Sequence, residues 1–304
     1  MAKGIKQVAL LGAPTDIGAA HRGAAMGPEA LRVAELGPAL GRLGLRVDDL
    51  GDLSGPANPN APAENGYRHL PETAAWCQAL NEAVHQVLGD GAFPIVMGGD
   101  HCLAIGSIAG VARHCAERGL PLTVLWLDAH ADFNTPETSP SGNTHGMALS
   151  ILLGQGYPRL VNCGRPGAKI GPEDVVMIGI RELDPEEKIR LSESGITVFT
   201  MRDIDEKGMG QIAREALCAL SHHNRLHVSM DMDALSPENA PGVGTPVPGG
   251  LTYREAHLLM EIIADSGRLS SMDIVEINPI MDTRNTTATM AVHLAVSLFG
   301  KQIF

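Results

Sequence analysis

Aromatic residues are scarce. Phe, Trp and Tyr make up 3% of the 304 residues, so a core has to rest on Val, Leu, Ile, Ala and Met. Cysteine is thin as well: there are five, an odd number, with no C-x-x-C among them. That excludes a disulfide framework and fits free thiols in a reducing cytoplasm. No apolar run approaches the roughly 18 residues of a membrane-spanning helix. The N-terminal run from Val8 to Ala13 is cut short by Pro14 and Asp16, too early for a secretory signal, and the mature chain is expected to start near Met1. Positive charge is in deficit. A net charge of −12 speaks against nucleic acid as a partner. No G-x-G-x-x-G or G-K-[ST] occurs, so Gly18, Gly23 and Gly27 do not make a nucleotide loop. No internal repeat or low-complexity linker divides the chain, and residues 1–304 are expected to form one domain.

What the chain does have is alternation. Apolar runs rich in β-formers at 7–12, 93–97, 122–127, 175–180, 196–199, 226–230 and 269–277 read as strands, with 47–50 as a short edge strand. The stretches between them predict helices from Pro28 toward Gly37 or Leu43, and over 71–89, 105–118, 146–153, 185–194, 210–220, 253–266 and 284–299. Residues 54–66, 134–145, 156–174 and 236–250 read as loops. Alternation of this kind implies an α/β fold with a mostly parallel sheet and helices on both faces. A closed eight-stranded barrel is the competing architecture.

Chemistry gathers at the strand ends, where parallel sheets bind ligands. Asp128, His130 and Asp132 follow the 122–127 run, and residues i, i+2 and i+4 of an extended segment share a face. Asp231 and Asp233 form the same kind of pair after 226–230. His101 follows 93–97, while Asp184 and Glu276 end two further runs. His101, Asp128, His130, Asp132, Asp231 and Asp233 are all metal-ligand types. Their four carboxylates carry four negative charges, which two divalent cations would neutralise. Because buried unpaired charge is costly, the count favours two metals. The excess of carboxylate over imidazole favours Mn²⁺. Bridging carboxylates hold such ions roughly 3.5–4 Å apart around a water that loses its proton near neutral pH. His145 stands in the polar loop after the triplet, where a proton shuttle could act. The other histidines read mostly as surface or helix-face residues.

Five motifs together resemble the signatures of the ureohydrolase family: Gly-Gly-Asp-His-Cys at 98–102, Asp-Ala-His-Ala-Asp at 128–132, Ser-Gly-Asn-Thr-His-Gly at 141–146, Ser-Met-Asp-Met-Asp at 229–233 and Val-Glu-Ile-Asn-Pro at 275–279. The 141–146 loop is similar to that of the arginase branch, not the agmatinase branch. The resemblance implies a three-layer α/β/α fold with an eight-stranded parallel sheet and two Mn²⁺ per subunit. One ion would be held by His101, Asp128, Asp132 and Asp231. The other would take His130 and Asp233, with Asp128 and Asp231 bridging. Bridging hydroxide would attack the guanidinium carbon of L-arginine and give L-ornithine and urea. Asp132 would orient that hydroxide, His145 would move protons, Glu276 would pair with the guanidinium and Thr245 would line the same pocket. Asn134, Ser139, Ser141 and Asn143 match positions that read the α-carboxylate. Asp184, with Glu187 nearby, matches the one that meets the α-ammonium. Donor side chains suit a carboxylate and an acid suits an ammonium.

Three residues depart from the family pattern. Cys102 stands where Ser is usual and is expected to pack, not ligate. Glu182 stands where Asp is frequent, and Ser236 breaks the usual Asp-Pro. Arg254 and Glu255 match interface positions, so the resemblance also implies a homotrimer or homohexamer in the cytoplasm. Three rival readings remain at this stage: an amidinohydrolase for agmatine or a guanidino acid, a one-metal deacetylase-type amidohydrolase, and a metal-binding scaffold without turnover.

Overall fold

Alternating apolar runs and amphipathic stretches leave the chain few ways to fold. The computed structural model, which describes residues 4–301, takes the parallel one. The expected start near Met1 and the end at Phe304 lie outside the described residues. The strands are β1 (Gln7–Ala13), β2 (Arg46–Asp52), β3 (Phe93–Gly98), β4 (Thr123–Leu127), β5 (Val175–Ile180), β6 (Thr197–Thr200), β7 (Leu226–Asp231) and β8 (Leu269–Val275). The helices are α1 (Gly27–Val33), α2 (Leu36–Gly41), α3 (Leu70–Gly89), α4 (Ala104–Ala116), α5 (Ala148–Leu152), α6 (Pro158–Val161), α7 (Pro185–Glu193), α8 (Met201–Lys207), α9 (Met209–Ala219), α10 (Tyr253–Ser266) and α11 (Thr286–Leu298).

The eight strands form one sheet in the order β2-β1-β3-β8-β7-β4-β5-β6, and every pair runs parallel. The sheet is open, with β2 and β6 at its edges, so the barrel alternative is set aside. Strands β3, β4, β5 and β7 are buried along their whole length, as expected of strands covered on both faces. The period of two sorts their side chains into two cores. Val8, Leu10, Ile95, Met97, Val228 and Met230 pack with Leu31, Leu259, Met260 and Leu294 of α1, α10 and α11. Ala9, Leu11, Val96, Val124 and Trp126 pack with Leu80, Val84, Ile105 and Ile108 of α3 and α4. The result is three layers.

Edge strand β2 pairs with β1 alone and is largely polar. Arg32 of α1 reaches it, 2.8 Å from Asp49 and 2.7 Å from Asp52. Among the described residues no helix is long and apolar enough to cross a membrane.

The structure corrects several sequence expectations. The helix from Pro28 does not run on to Leu43: Glu35, at φ 63°, breaks it into α1 and α2 and turns Leu36, Ala39 and Leu40 inward. The stretch 156–174 is not all loop, since α6 lies within it. Helix α8 was not expected, although Thr200 and Asp203 form a capping box at its start. Strand β8 stops at Val275, and α11 starts at Thr286 because Arg284 and Asn285 are both left-handed.

Candidate active site

The carboxyl ends of β3, β7 and β4 deliver the ligand-type residues, and β8, between β3 and β7, delivers Glu276. Past β4 the chain is not extended. Asp128 Oδ1 accepts the His130 N–H at 2.7 Å, and Asp132 is left-handed at φ 49°. Asp231 likewise caps a 3₁₀ turn, Met232–Ala234, by accepting the Asp233 N–H at 2.8 Å. The expected shared face of extended residues is therefore replaced by tight turns, yet the carboxylates still converge.

His101 Nδ1 lies 3.0 Å from Asp128 Oδ2, 3.1 Å from Asp132 Oδ2 and 3.0 Å from Asp231 Oδ2. None of these contacts has hydrogen-bond alignment. His101 Nδ1 and Asp132 Oδ2 are both buried polar atoms without a hydrogen-bond partner, which is the arrangement of ligands aimed at a common point between them. His130 Nδ1 lies 3.0 Å from Asp233 Oδ2 and 3.5 Å from Asp128 Oδ1. Two compact ligand groups result, His101 with Asp128 and Asp231, and Asp128 with His130 and Asp233. Asp128 belongs to both. Asp231 falls in the first group only, and Asp132 joins through its approach to His101.

The electrostatics of the cluster are unbalanced without cations. Burial, with Asp233 and Asp128 adding to it, holds the Asp231 carboxyl well above its usual range. Burial and Asp128 push Asp132 up to about 6. Asp128 is held low: burial opposes its charge, but His101 and His130 outweigh it. Four buried carboxylates this close cannot all stay charged unless something positive joins them. The donor set of imidazoles and carboxylates fits a pair of divalent cations.

Supporting residues escaped the sequence reading. Trp126 stacks on His101 with ring centroids 4.1 Å apart and donates from Nε1 to Asp128 Oδ2 at 2.9 Å. His101 Nε2 meets Ser229 Oγ at 2.8 Å. Ser229 donates to Asp273 at 2.6 Å, and the fully buried Asp273 also holds Ser107 and His227. His227 is thus an interior residue of β7, an exception to the mostly surface or helix-face reading of the remaining histidines. Arg181 donates to the carbonyls of Asp233 and Val247, each at 2.7 Å, and so pins the turn after β7 to the 236–250 loop. These hydrogen bonds and ring contacts fix the orientation of His101 and Asp128. Ser229→Ala should therefore weaken divalent-cation binding by about tenfold or more while the fold persists, which calorimetric titration with Mn²⁺ would read. Unchanged affinity would show that Ser229 does not orient His101.

A cavity of about 450 Å³ opens over the cluster, lined among others by His130, Asp132, Asn134, Ser139, Ser141, Asn143, His145, Asp184, Glu187, Asp231, Asp233 and Thr245. Asn134 Nδ2 donates to Asp184 at 2.9 Å, and Thr245 donates to Asp233 at 3.1 Å. Ser139 and Ser141 accept backbone N–H groups of their own turn. Asn143 Oδ1 is buried without a partner. Both oxygens of Glu187 are engaged, by the N–H groups of Phe133 and Asp184, so it shapes the start of α7. Glu276 does not line the cavity. It is left-handed at φ 63° and buried, and its Oε1 accepts the His101 N–H at 2.8 Å and contacts His145 Nδ1 at 3.2 Å. Its Oε2 faces Gly244, one of the lining residues. Burial lowers the proton affinity of His145, but Glu276 outweighs this and raises it to about 9.

The departures find local places. Cys102 is fully buried, and burial holds its thiol well above the usual range; it packs in the core, outside both ligand groups. Glu182 is exposed, 3.5 Å from His130 Nε2. Ser236 bonds to Glu238 within its loop. Glu255 caps α10 through Thr252, and Arg254 lies exposed near Glu261.

The arginase family model matches residues 6–300. The arginase of Bacillus caldovelox is 46% identical over 302 residues, covering 98% of this chain and all of the relative. Its solved structure superposes with a TM-score of 0.94 at 45% identity, covering 99% of this chain and 100% of the other. The arginase of Entamoeba histolytica, solved in complex with L-ornithine, superposes with a TM-score of 0.90 at 30% identity, covering 98% and 99% of the two chains.

Proposed function

Because the chain belongs to the arginase family, we propose that it hydrolyses L-arginine to L-ornithine and urea on a binuclear manganese centre. The observation that carries this reading is Asp128, one carboxylate shared by two His/Asp groups beneath a cavity with polar and acidic walls. His101, Asp128, Asp132 and Asp231 would hold one ion. His130 and Asp233 would hold the second, with Asp128 common to both groups. When bound, such a pair supplies a water acidified to the point of serving as nucleophile at neutral pH.

The chain's own residues do the rest. Asp184 meets the α-ammonium, with Asn134 holding it in place. Ser139, Ser141 and Asn143 face the α-carboxylate, to which the two hydroxyls and the Asn143 side-chain NH₂ would donate. Glu276 offers Oε2 to the guanidinium while His101 and His145 hold its Oε1. Asp132 orients the attacking water and takes its proton, and Thr245 closes the pocket beside Asp233. The carbon–nitrogen bond to the side-chain δ-nitrogen breaks. His145, raised to about 9, carries a proton at neutral pH and passes it to the leaving amine. The ornithine bound by the Entamoeba relative is the product this scheme requires. The whole chain acts as one domain, in the cytoplasm, as a homotrimer or homohexamer.

Urea release from L-arginine and from agmatine, measured in parallel on Mn²⁺-loaded protein, tests the proposal. Agmatine lacks the α-carboxylate that the 134–143 loop would read. Its kcat/KM should be lower by about a hundredfold or more, because the polar groups built for that carboxylate stay unpaired. Equal turnover of agmatine would overturn the assignment of Ser139, Ser141 and Asn143. Urea from neither substrate would overturn the arginase reading.

A further inference from the structure

A third cluster of ligand-type side chains lies away from the active site, at the opposite end of the sheet. Asp174 ends the 3₁₀ turn that feeds β5, and His222 and His223 follow α9 in the connection to β7. His222 Nε2 is 3.2 Å and His223 Nε2 3.5 Å from the same oxygen, Asp174 Oδ1. The three ligand atoms fall within one coordination sphere.

The surroundings orient each ligand. Asp174 Oδ2 accepts the Gly171 N–H at 2.9 Å, which leaves Oδ1 for the two imidazoles. His222 Nδ1 lies 3.1 Å from the Ala219 carbonyl. A carbonyl only accepts, so Nδ1 carries the hydrogen, and in the neutral ring Nε2 presents its lone pair to the carboxylate. Two acceptors at that distance need a positive centre between them, either a proton on Nε2, for which the 3.2 Å contact has hydrogen-bond geometry, or a cation. Protonating both rings would serve poorly, because their centroids are 4.2 Å apart and two imidazolium charges would face each other.

One divalent cation supplies positive charge to the carboxylate and both ring nitrogens at once, without setting two imidazolium rings against each other. Ligand bonds of about 2.0–2.1 Å in tetrahedral geometry set neighbouring ligand atoms about 3.3–3.4 Å apart, between the two measured separations of 3.2 and 3.5 Å. Two imidazoles with one carboxylate are a borderline donor set that suits zinc, copper or nickel better than the oxygen-seeking ions. The side chains are 19–38% exposed, so water can fill the fourth position. We propose that Asp174, His222 and His223 form a zinc-class cation site that ties the α9–β7 connection to the entry of β5.

Metal counting tests this without reference to catalysis. Protein stripped by chelation, loaded with Zn²⁺ and washed free of excess should retain one zinc more per chain than the double variant H222A/H223A treated in the same way. Asp174→Asn should also lose one zinc, and circular dichroism checks that both variants keep their fold. Equal zinc counts in the parent and either folded variant would overturn the proposal. The comparison is a difference of one whatever the active-site cluster holds, so it stands apart from the arginase reading.

Discussion

Glu276→Gln should leave both cations bound and lower the turnover of L-arginine by about two to three orders of magnitude. The substitution keeps shape and keeps a carbonyl oxygen that can accept the His101 N–H, so the ligand groups need not move. What it removes is the charge. A buried carboxylate facing a guanidinium is a charge-assisted pair, and losing one partner of such a pair costs about 2–5 kcal/mol. Glutamine also weakens the grip on His145, whose raised proton affinity rests on Glu276. Metal content by elemental analysis and urea release by steady-state assay separate the two effects. Loss of metal in step with loss of activity would show that Glu276 acts by supporting the ligands, not by meeting substrate. The left-handed backbone at this residue, φ 63°, agrees with a site role, because a non-glycine held there costs about 1–3 kcal/mol that the surroundings must impose.

Asp128→Ala should be the most damaging single change at the cluster. Its carboxylate belongs to both ligand groups, so both cations should dissociate at concentrations that saturate the parent protein, with activity falling by about four orders of magnitude or more. His101→Asn is the control, since the group of Asp128, His130 and Asp233 survives it and one cation should stay. Asp128→Ala also orphans two donors, the His130 N–H and the Trp126 indole N–H, each worth about 1–3 kcal/mol when left buried and unpaired. In the metal-free protein, relief of repulsion among four carboxylates works the other way. The loss of stability should therefore be larger with Mn²⁺ present than with chelator present, as thermal unfolding under both conditions would read. An Asp128→Ala protein that still holds two cations would refute the shared-ligand geometry.

The sequence made the ligand types legible because each sits at the end of an apolar run, and apolar runs with turn residues behind them are strong local signals. The local conformation was not legible. Residues Asp128 to Asp132 and Asp231 to Asp233 read as extended because alternate spacing suits a strand, but their carboxylates accept nearby backbone N–H groups and bend the chain. Trp126 reads as one more β-former in a buried strand, and only the fold shows its ring lying on His101. Asp273, His227 and Ser107 are far apart in sequence and meet only when β8, β7 and α4 pack together. The third cluster was hidden for the same reason, with Asp174 lying 48 positions from His222. The capping box that starts α8 was written plainly in Thr200-Met-Arg-Asp203 and could have been read.

The two rims of the open sheet bear on how the protein behaves when crowded. An unpaired strand edge is a template on which another chain can add. One rim, β6, is four residues long, too short to guide much growth. The other, β2, carries Asp48, Asp49 and Asp52, with Arg32 drawn across Asp49 and Asp52. A second β2 laid alongside would set carboxylates against carboxylates, which disfavours the pairing. The acidic edge thus disfavours pairing with a second copy, and Arg32 holds Asp49 and Asp52 in place while offsetting part of their charge.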